Sequence, residues 1–288
     1  MADGLLNKKV AFIIQARMQS TRLPGKILMP LPLGSSVPLL GRIVQTLKTS
    51  KANHSILIAT SINPENDLIE SFCNEYKVDC FRGSEDDVLS RFTTILTTLD
   101  CDTVVRLTGD NPFVAVEILD AILEKHCESG ADYTSTKGLP LGMNFEIISA
   151  SALQSLVTKN LTDQDREHVT LFIKNSGLYN LNTIKPSEKE FYQSLRLTVD
   201  YPSDYLVASA LFDLHLKNEI PIGLDLIDYC TEHYSWIFEV NQNNFQKGNY
   251  ASLEEEIANV KPILEQLEFK KVLSLLDSQS LNSGHGEL

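Results

Sequence analysis

Val10-Ala11-Phe12-Ile13-Ile14-Gln15-Ala16-Arg17-Met18-Gln19-Ser20-Thr21-Arg22-Leu23-Pro24-Gly25-Lys26 sets an apolar run against a cationic turn. Five consecutive apolar residues predict a strand buried on both faces, because a half-exposed strand would alternate. In open α/β sheets the functional loops lie just beyond the carboxyl ends of such strands. Arg17, Arg22 and Lys26 fall there, and Gly25 lets the main chain turn and approach a ligand closely. Three cations can meet a triphosphate through charge-assisted hydrogen bonds, each worth about 1.5–3 kcal/mol. The run reads as a nucleotide phosphate cradle, with Ala16, Arg17, Ser20, Arg22, Gly25 and Lys26 as candidate contacts. It lacks the glycine spacing and the lysine-serine/threonine pair of a Walker A loop, which argues against an ATPase of that type.

Working outward, strand-like and helix-like runs alternate, the pattern of an α/β sheet with crossover helices. Helices are expected over 38–50, 63–76, 85–97 and 114–128, and strands over 55–60, 78–81 and 102–107. Asn63 ahead of Pro64 and Glu65 gives the second helix a capping signal, and Ser84 is the expected cap of the third. After Tyr133 the alternation weakens. Strands are expected over 144–148, 179–184 and 194–199, and helices over 150–158, 165–174 and 203–216. The stretch 252–276 is amphipathic with a helical period, and 278–288 reads as a frayed tail. The expected organisation is a main domain over 1–235 and a helical appendage with a flexible tail over 236–288.

The chain has 288 residues, 43% hydrophobic and 22% charged, which is ordinary globular usage. Its formal charge of −13 argues against nucleic acid or an anionic membrane as a general partner. Against that background Lys8, Lys9, Arg17, Arg22 and Lys26 oppose only Asp3 in the first thirty residues, so an anionic substrate would be drawn locally. Cys73, Cys80, Cys101, Cys127 and Cys230 are scattered without zinc or redox spacing, consistent with reduced thiols. With no signal-peptide pattern and no long apolar run, a cytoplasmic protein is expected.

Two further strand ends carry acids. Val104-Val105-Arg106-Leu107-Thr108-Gly109-Asp110-Asn111-Pro112 presents a glycine and then a carboxylate, chemistry suited to magnesium with substrate phosphates completing its shell. The alternative is an aspartate bonding its own turn. Leu197-Thr198-Val199-Asp200-Tyr201-Pro202-Ser203-Asp204 supplies Asp200 at a strand end and Asp204 in a helix's first turn, where the dipole favours it. Arg82, in Phe81-Arg82-Gly83-Ser84, is placed to reach base, ribose or phosphate. In Asp165-Arg166-Glu167-His168-Val169-Thr170 consecutive helical residues point in different directions, so they form no single catalytic face. An Asp-x-Asp metal pair of the glycosyltransferase kind is spelled by Asp100-Cys101-Asp102, at the wrong end of its strand, and by Asp163-Gln164-Asp165, better read as a helix start.

Residues 16–26 resemble the signature of nucleotidyltransferases that make CMP-activated acidic sugars, the acylneuraminate and 3-deoxy-manno-octulosonate cytidylyltransferases. The wording Gln15-Ala16-Arg17-Met18, with the segments 81–92 and 165–170, is nearest the spore coat polysaccharide biosynthesis protein F branch, and the likeness runs from about Lys8 to Leu216. The resemblance implies a three-layer, nucleotide-diphospho-sugar transferase-like (Rossmann-like) fold with a mostly parallel mixed sheet. It implies transfer of a cytidylyl group from CTP to an acidic sugar, for surface polysaccharide or glycan synthesis, by a homodimer. It also implies Mg2+ held by Asp110 and Asp200, with Arg17 and Lys26 catalytic beside them and Glu146, Arg166 and His168 on the sugar side. The alternatives are a glycosyltransferase of related fold and a non-catalytic nucleotide-sugar-binding protein. In-line displacement at the α-phosphorus needs positioned charge rather than a protein nucleophile.

Overall fold

β1 (Lys9–Gln15) lies inside a seven-stranded sheet with β2 (Asn53–Ser61), β3 (Asp79–Gly83), β4 (Thr103–Thr108), β5 (Tyr133–Thr136), β6 (Glu146–Ser149) and β7 (Leu181–Ile184), in the order β3-β2-β1-β4-β6-β5-β7. The computed structural model describes residues 8–245 and 252–282. β1 runs parallel to β2 and β4, β2 to β3, and β5 to β7, while β6 is antiparallel to both of its neighbours. The sheet is therefore mixed and mostly parallel, as expected.

Alternation along β1 divides the core. Val10, Phe12 and Ile14 pack on one face with α1 (Leu39–Leu47), whereas Ala11 and Ile13 pack on the other with α3 (Val88–Thr98). All five are essentially buried, which is why the strand reads as a continuous apolar run. α2 (Asp67–Tyr76) and α4 (Val116–Ser129) join the first layer, and α5 (Ala150–Ser155) the second. Three layers result.

Several local expectations need correction. The Asn63 side chain makes no cap bond and instead donates to Glu85, while Pro64–Asn66 forms a 3-10 turn ahead of α2. Asp87 rather than Ser84 caps α3, accepting the Ser90 N–H at 2.9 Å. The helix expected over 165–174 is split at Val169 into α6 (Asp163–His168) and α7 (Leu171–Asn175). The strand expected over 194–199 reduces to a single bridge between Leu141 and Arg196. β5, whose Thr134-Ser135-Thr136 is polar, escaped the reading altogether.

α8 (Pro202–Asn218), α9 (Leu224–Tyr234) and α10 (Trp236–Glu239) complete the first of two compact units, which ends at Asn243, somewhat beyond the boundary read at 235. In the second unit the single helix expected over 252–276 is two, α11 (Leu253–Gln266) and α12 (Lys270–Asn282), separated where Glu268 takes a positive φ. Lys261 and Asp277 pair at 2.7 Å across them. The last six residues of the expected tail, 283–288, lie outside the described residues. Among the described residues no helix is long and apolar enough to cross a membrane.

Candidate active site

β1 has β2 on one side and β4 on the other, so the chain changes direction across the sheet between β1 and β4. A crevice at the carboxyl ends of such strands is where open α/β sheets place ligands. The loops after β1 and β4 touch there. Gly109 N–H donates to the Gln15 carbonyl at 2.8 Å, and a Cβ on Gly109 would stand 3.0 Å from that of Ala16. Ala16, buried, continues β1 by donating to the Ala59 carbonyl. The third constellation joins through its backbone, Val199 N–H donating to the Asp110 carbonyl at 2.9 Å.

These contacts bring Lys26, Asp110 and Asp200 together. Gly25, at φ 71°, turns the chain into a short 3-10 helix that points Lys26 inward. The Lys26 Nζ lies 2.9 Å from Asp110 Oδ2 and 2.8 Å from Asp200 Oδ1, and the residue is only 7% exposed. Thr108 Oγ1 donates to the other Asp110 oxygen at 2.7 Å. Arg22 reaches Asp200 at 3.2 Å and stacks its guanidinium over the Tyr201 ring.

Behind this row sits a buried support that the sequence reading missed. Arg196 donates to Asp200 Oδ2 at 2.8 Å and to Asp204 Oδ1 at 3.0 Å. Asp204 also accepts from the backbone N–H groups of Asp200 and Tyr201 and from Asn241 Nδ2. It stands in the first turn of α8, as expected, and at 1% exposed it is also a buried anchor for the Asp200 turn. A signal was present: Arg196 lies between two leucines, four and eight residues before Asp200 and Asp204.

The rest of the cradle is held from outside. Asn66, buried, accepts the Met18 N–H at 2.9 Å and donates to Ser61 Oγ. Ser20 Oγ accepts the Leu23 N–H within the loop. Arg17 extends into solvent and pairs with Glu85 at 3.1 Å. Burial raises the pKa of the Glu85 carboxyl, but hydrogen bonds from Ser61 and Arg17 outweigh it and lower the value overall. Arg82 does not reach into the crevice. It donates to the carbonyls of Ser61 and Asn63 and pairs with Asp67 and Glu70 at the start of α2.

Beside Asp110 a cavity of about 340 Å³ opens between the ends of β4 and β6. Glu146 lines it opposite Arg106 in the strand register, and the two pair at 2.6 Å. Glu146 also accepts from Tyr133, Thr170 and Lys174. Burial pushes this carboxyl up, yet the charges of Arg106 and Lys174 with the hydrogen bonds from Tyr133 and Arg106 prevail and hold it at about 2. Arg166 pairs with Asp87 at the start of α3, and His168 ends α6 half-buried. Thr170 is the member of that run that meets Glu146. It is aimed by a γ-turn at Val169, φ 62° and ψ −54°, whose His168 carbonyl accepts the Thr170 N–H at 2.6 Å. Asp100 pairs with the Lys9 ammonium and Asp102 accepts the Lys9 backbone N–H, at the opposite ends of β1 and β4, and Asp165 closes a capping box with Thr162. Neither spelling builds a metal pair at the crevice.

A family model described as cytidylyltransferase matches residues 11–249, a span that holds the cradle, both acid-bearing turns and the cavity. The chain belongs to the cytidylyltransferase family. This cytidylyltransferase is 39% identical over 206 residues to the spore coat polysaccharide biosynthesis protein SpsF of Bacillus subtilis, covering 70% of this chain and 86% of that protein. It is 27% identical over 152 residues to a 3-deoxy-manno-octulosonate cytidylyltransferase of Acaryochloris marina, covering 51% of this chain and 59% of the relative. Among solved structures it is similar to a cytidylyltransferase from Leptospira borgpetersenii, with a TM-score of 0.73 and 29% identity over 84% of this chain and 100% of that one. The protein is a nucleotidyltransferase enzyme.

Proposed function

We propose that this cytidylyltransferase moves CMP from CTP to an acidic sugar, releasing pyrophosphate, with magnesium as its cofactor, and so activates a sugar for surface polysaccharide or glycan synthesis. The observation that carries the reading is the meeting of Lys26, Asp110 and Asp200 at one crevice, flanked by Arg22 and Arg17. A sugar hydroxyl oxygen forms a bond to the α-phosphorus, the bond to the β-phosphate bridging oxygen breaks, and the hydroxyl proton passes to solvent. For such a displacement the protein supplies position and charge.

The donor set fits magnesium. The Lys26 ammonium already stands as a cation between two carboxylates from different strand ends, and magnesium takes one or two carboxylates with phosphates and waters completing its shell. Asp110 and Asp200 would hold the ion, and when bound it would neutralise charge on the α-phosphate. Lys26 then serves the triphosphate, with Arg22 and Arg17, by stabilising the departing pyrophosphate. Arg17 can exchange Glu85 for phosphate because its own end of that pair is exposed, while half-buried Glu85 keeps the hydrogen bond from Asn63. The cavity beside Asp110 is the space for the acceptor.

Calorimetry with CTP, UTP, ATP and GTP plus magnesium, followed by pyrophosphate release with octulosonic and nonulosonic acids, tests the reading. CTP is expected to bind most tightly and to turn over only with an acid present. Preference for a purine nucleotide, or turnover confined to neutral sugars, would overturn it.

A further inference from the structure

Two residues lining the cavity beside Asp110 carry polar atoms that the protein leaves without partners. Arg106 Nε and Asn111 Oδ1 are each buried and unbonded, and both residues line the cavity. Folded chains rarely leave such atoms unpaired, so an unsatisfied donor and acceptor on two residues that line one cavity mark where a ligand completes the bonding. The other Arg106 nitrogens are occupied. NH1 donates to Glu146 Oε2 at 2.6 Å and NH2 to Gln15 Oε1 at 3.2 Å, which fixes the guanidinium plane and leaves the Nε edge to be used.

Glu146 has little left to offer a ligand. One oxygen accepts from Arg106 and the other from Tyr133, Thr170 and Lys174. Two cations share this one carboxylate, so the cluster of Arg106, Lys174 and Glu146 keeps one net positive charge, with Arg106 and Glu146 lining the cavity. That balance favours an anion.

We propose that Arg106 selects the acidic acceptor, its Nε–H donating to the sugar carboxylate while Asn111 Oδ1 accepts from a hydroxyl or acylamino N–H of the same sugar. Glu146 is then a positioning residue that acts through Arg106. This rests on the function proposed above and names the group on the acceptor that the pocket reads.

The test uses the full chain with CTP and magnesium, and offers 3-deoxy-manno-octulosonate and a nonulosonic acid, each beside its methyl ester. Arg106→Lys keeps a charge next to Glu146 but loses the Nε–H. Wild type is expected to prefer acid over ester, and Arg106→Lys to raise the KM for the acid by about tenfold to a hundredfold, with the KM for CTP unchanged and the acid preference gone. Glu146→Gln should reduce the same preference without altering CTP affinity. Asn111→Ala leaves the ion pair intact, so it reports on the pocket even where Arg106 variants fold poorly, and it should raise the acid KM while sparing CTP. Intact CTP binding with equal use of acid and ester by wild type, or an unchanged preference in Arg106→Lys, overturns this inference alone. Failure of CTP to bind overturns the parent reading and this one with it.

Discussion

Lys26 and Arg17 look alike in the sequence, two cations of one turn, but they differ in what surrounds them. Lys26 is clamped between Asp110 and Asp200, whereas Arg17 reaches into solvent towards Glu85. Arg17→Ala should weaken CTP binding roughly tenfold to a hundredfold and leave the urea midpoint almost unchanged. Lys26→Ala should show the same loss of binding together with a stability loss of about 1–3 kcal/mol, since two carboxylates lose a buried partner. Calorimetry and urea titration on both variants check the contrast. Asp204→Asn is expected to destabilise more, by about 3–5 kcal/mol, because it removes one of the two carboxylate partners of buried Arg196 and the charged acceptor of the Asp200, Tyr201 and Asn241 donors. A midpoint shift worth only a few tenths of a kcal/mol would leave Asp204 with the dipole-favoured first-turn role alone. Residue types at strand ends were legible in the sequence; which of them are buried was not, because Lys26 meets Asp110 and Asp200, and Asp204 meets Arg196 and Asn241, only once the fold brings them together.

At the scale of elements, the site depends on how closely the loops after β1 and β4 approach. A Cβ at Gly109 would press on Ala16, so Gly109→Val should part the loops, cost about 1–3 kcal/mol in urea denaturation, and reduce CTP-dependent turnover more than Gly223→Ala, whose Cβ would meet nothing within 4 Å on extended backbone. Equal turnover in the two variants would show that the approach is not needed. The β1 to β4 half of the sheet was legible because its strands are doubly buried and its helices carry a clear period. The later half was not. β5 is short and polar, the bridge at Arg196 involves one residue pair, and the period across 165–174 continues through the γ-turn at Val169. Such a turn places a β-branched residue at positive φ, a strain of about 1–3 kcal/mol that the surrounding packing must offset and that local propensity cannot foresee.

For the whole molecule, the −13 charge and the buried ion pairs make stability pH-dependent. The Glu146 carboxyl sits at about 2 in the folded chain against an ordinary 4.5. A lowered folded value stabilises above the unfolded one and is lost as pH falls from about 4.5 towards 2, by an amount on the order of a few kcal/mol. Urea midpoints at about pH 5 and pH 3 should therefore fall further apart in wild type than in Glu146→Gln. An identical spread would remove Glu146 from the acid sensitivity of the fold. The central claim is that Asp110 and Asp200, meeting across the crevice, work as one unit in cytidylyl transfer. It is tested most directly by magnesium-dependent pyrophosphate release from CTP in wild type, Asp110→Asn, Asp200→Asn and the double variant. Each single change is expected to abolish most turnover and the double change to add little, since either loss already dismantles the unit. Full activity in either single variant, or losses that multiply in the double variant, would contradict it.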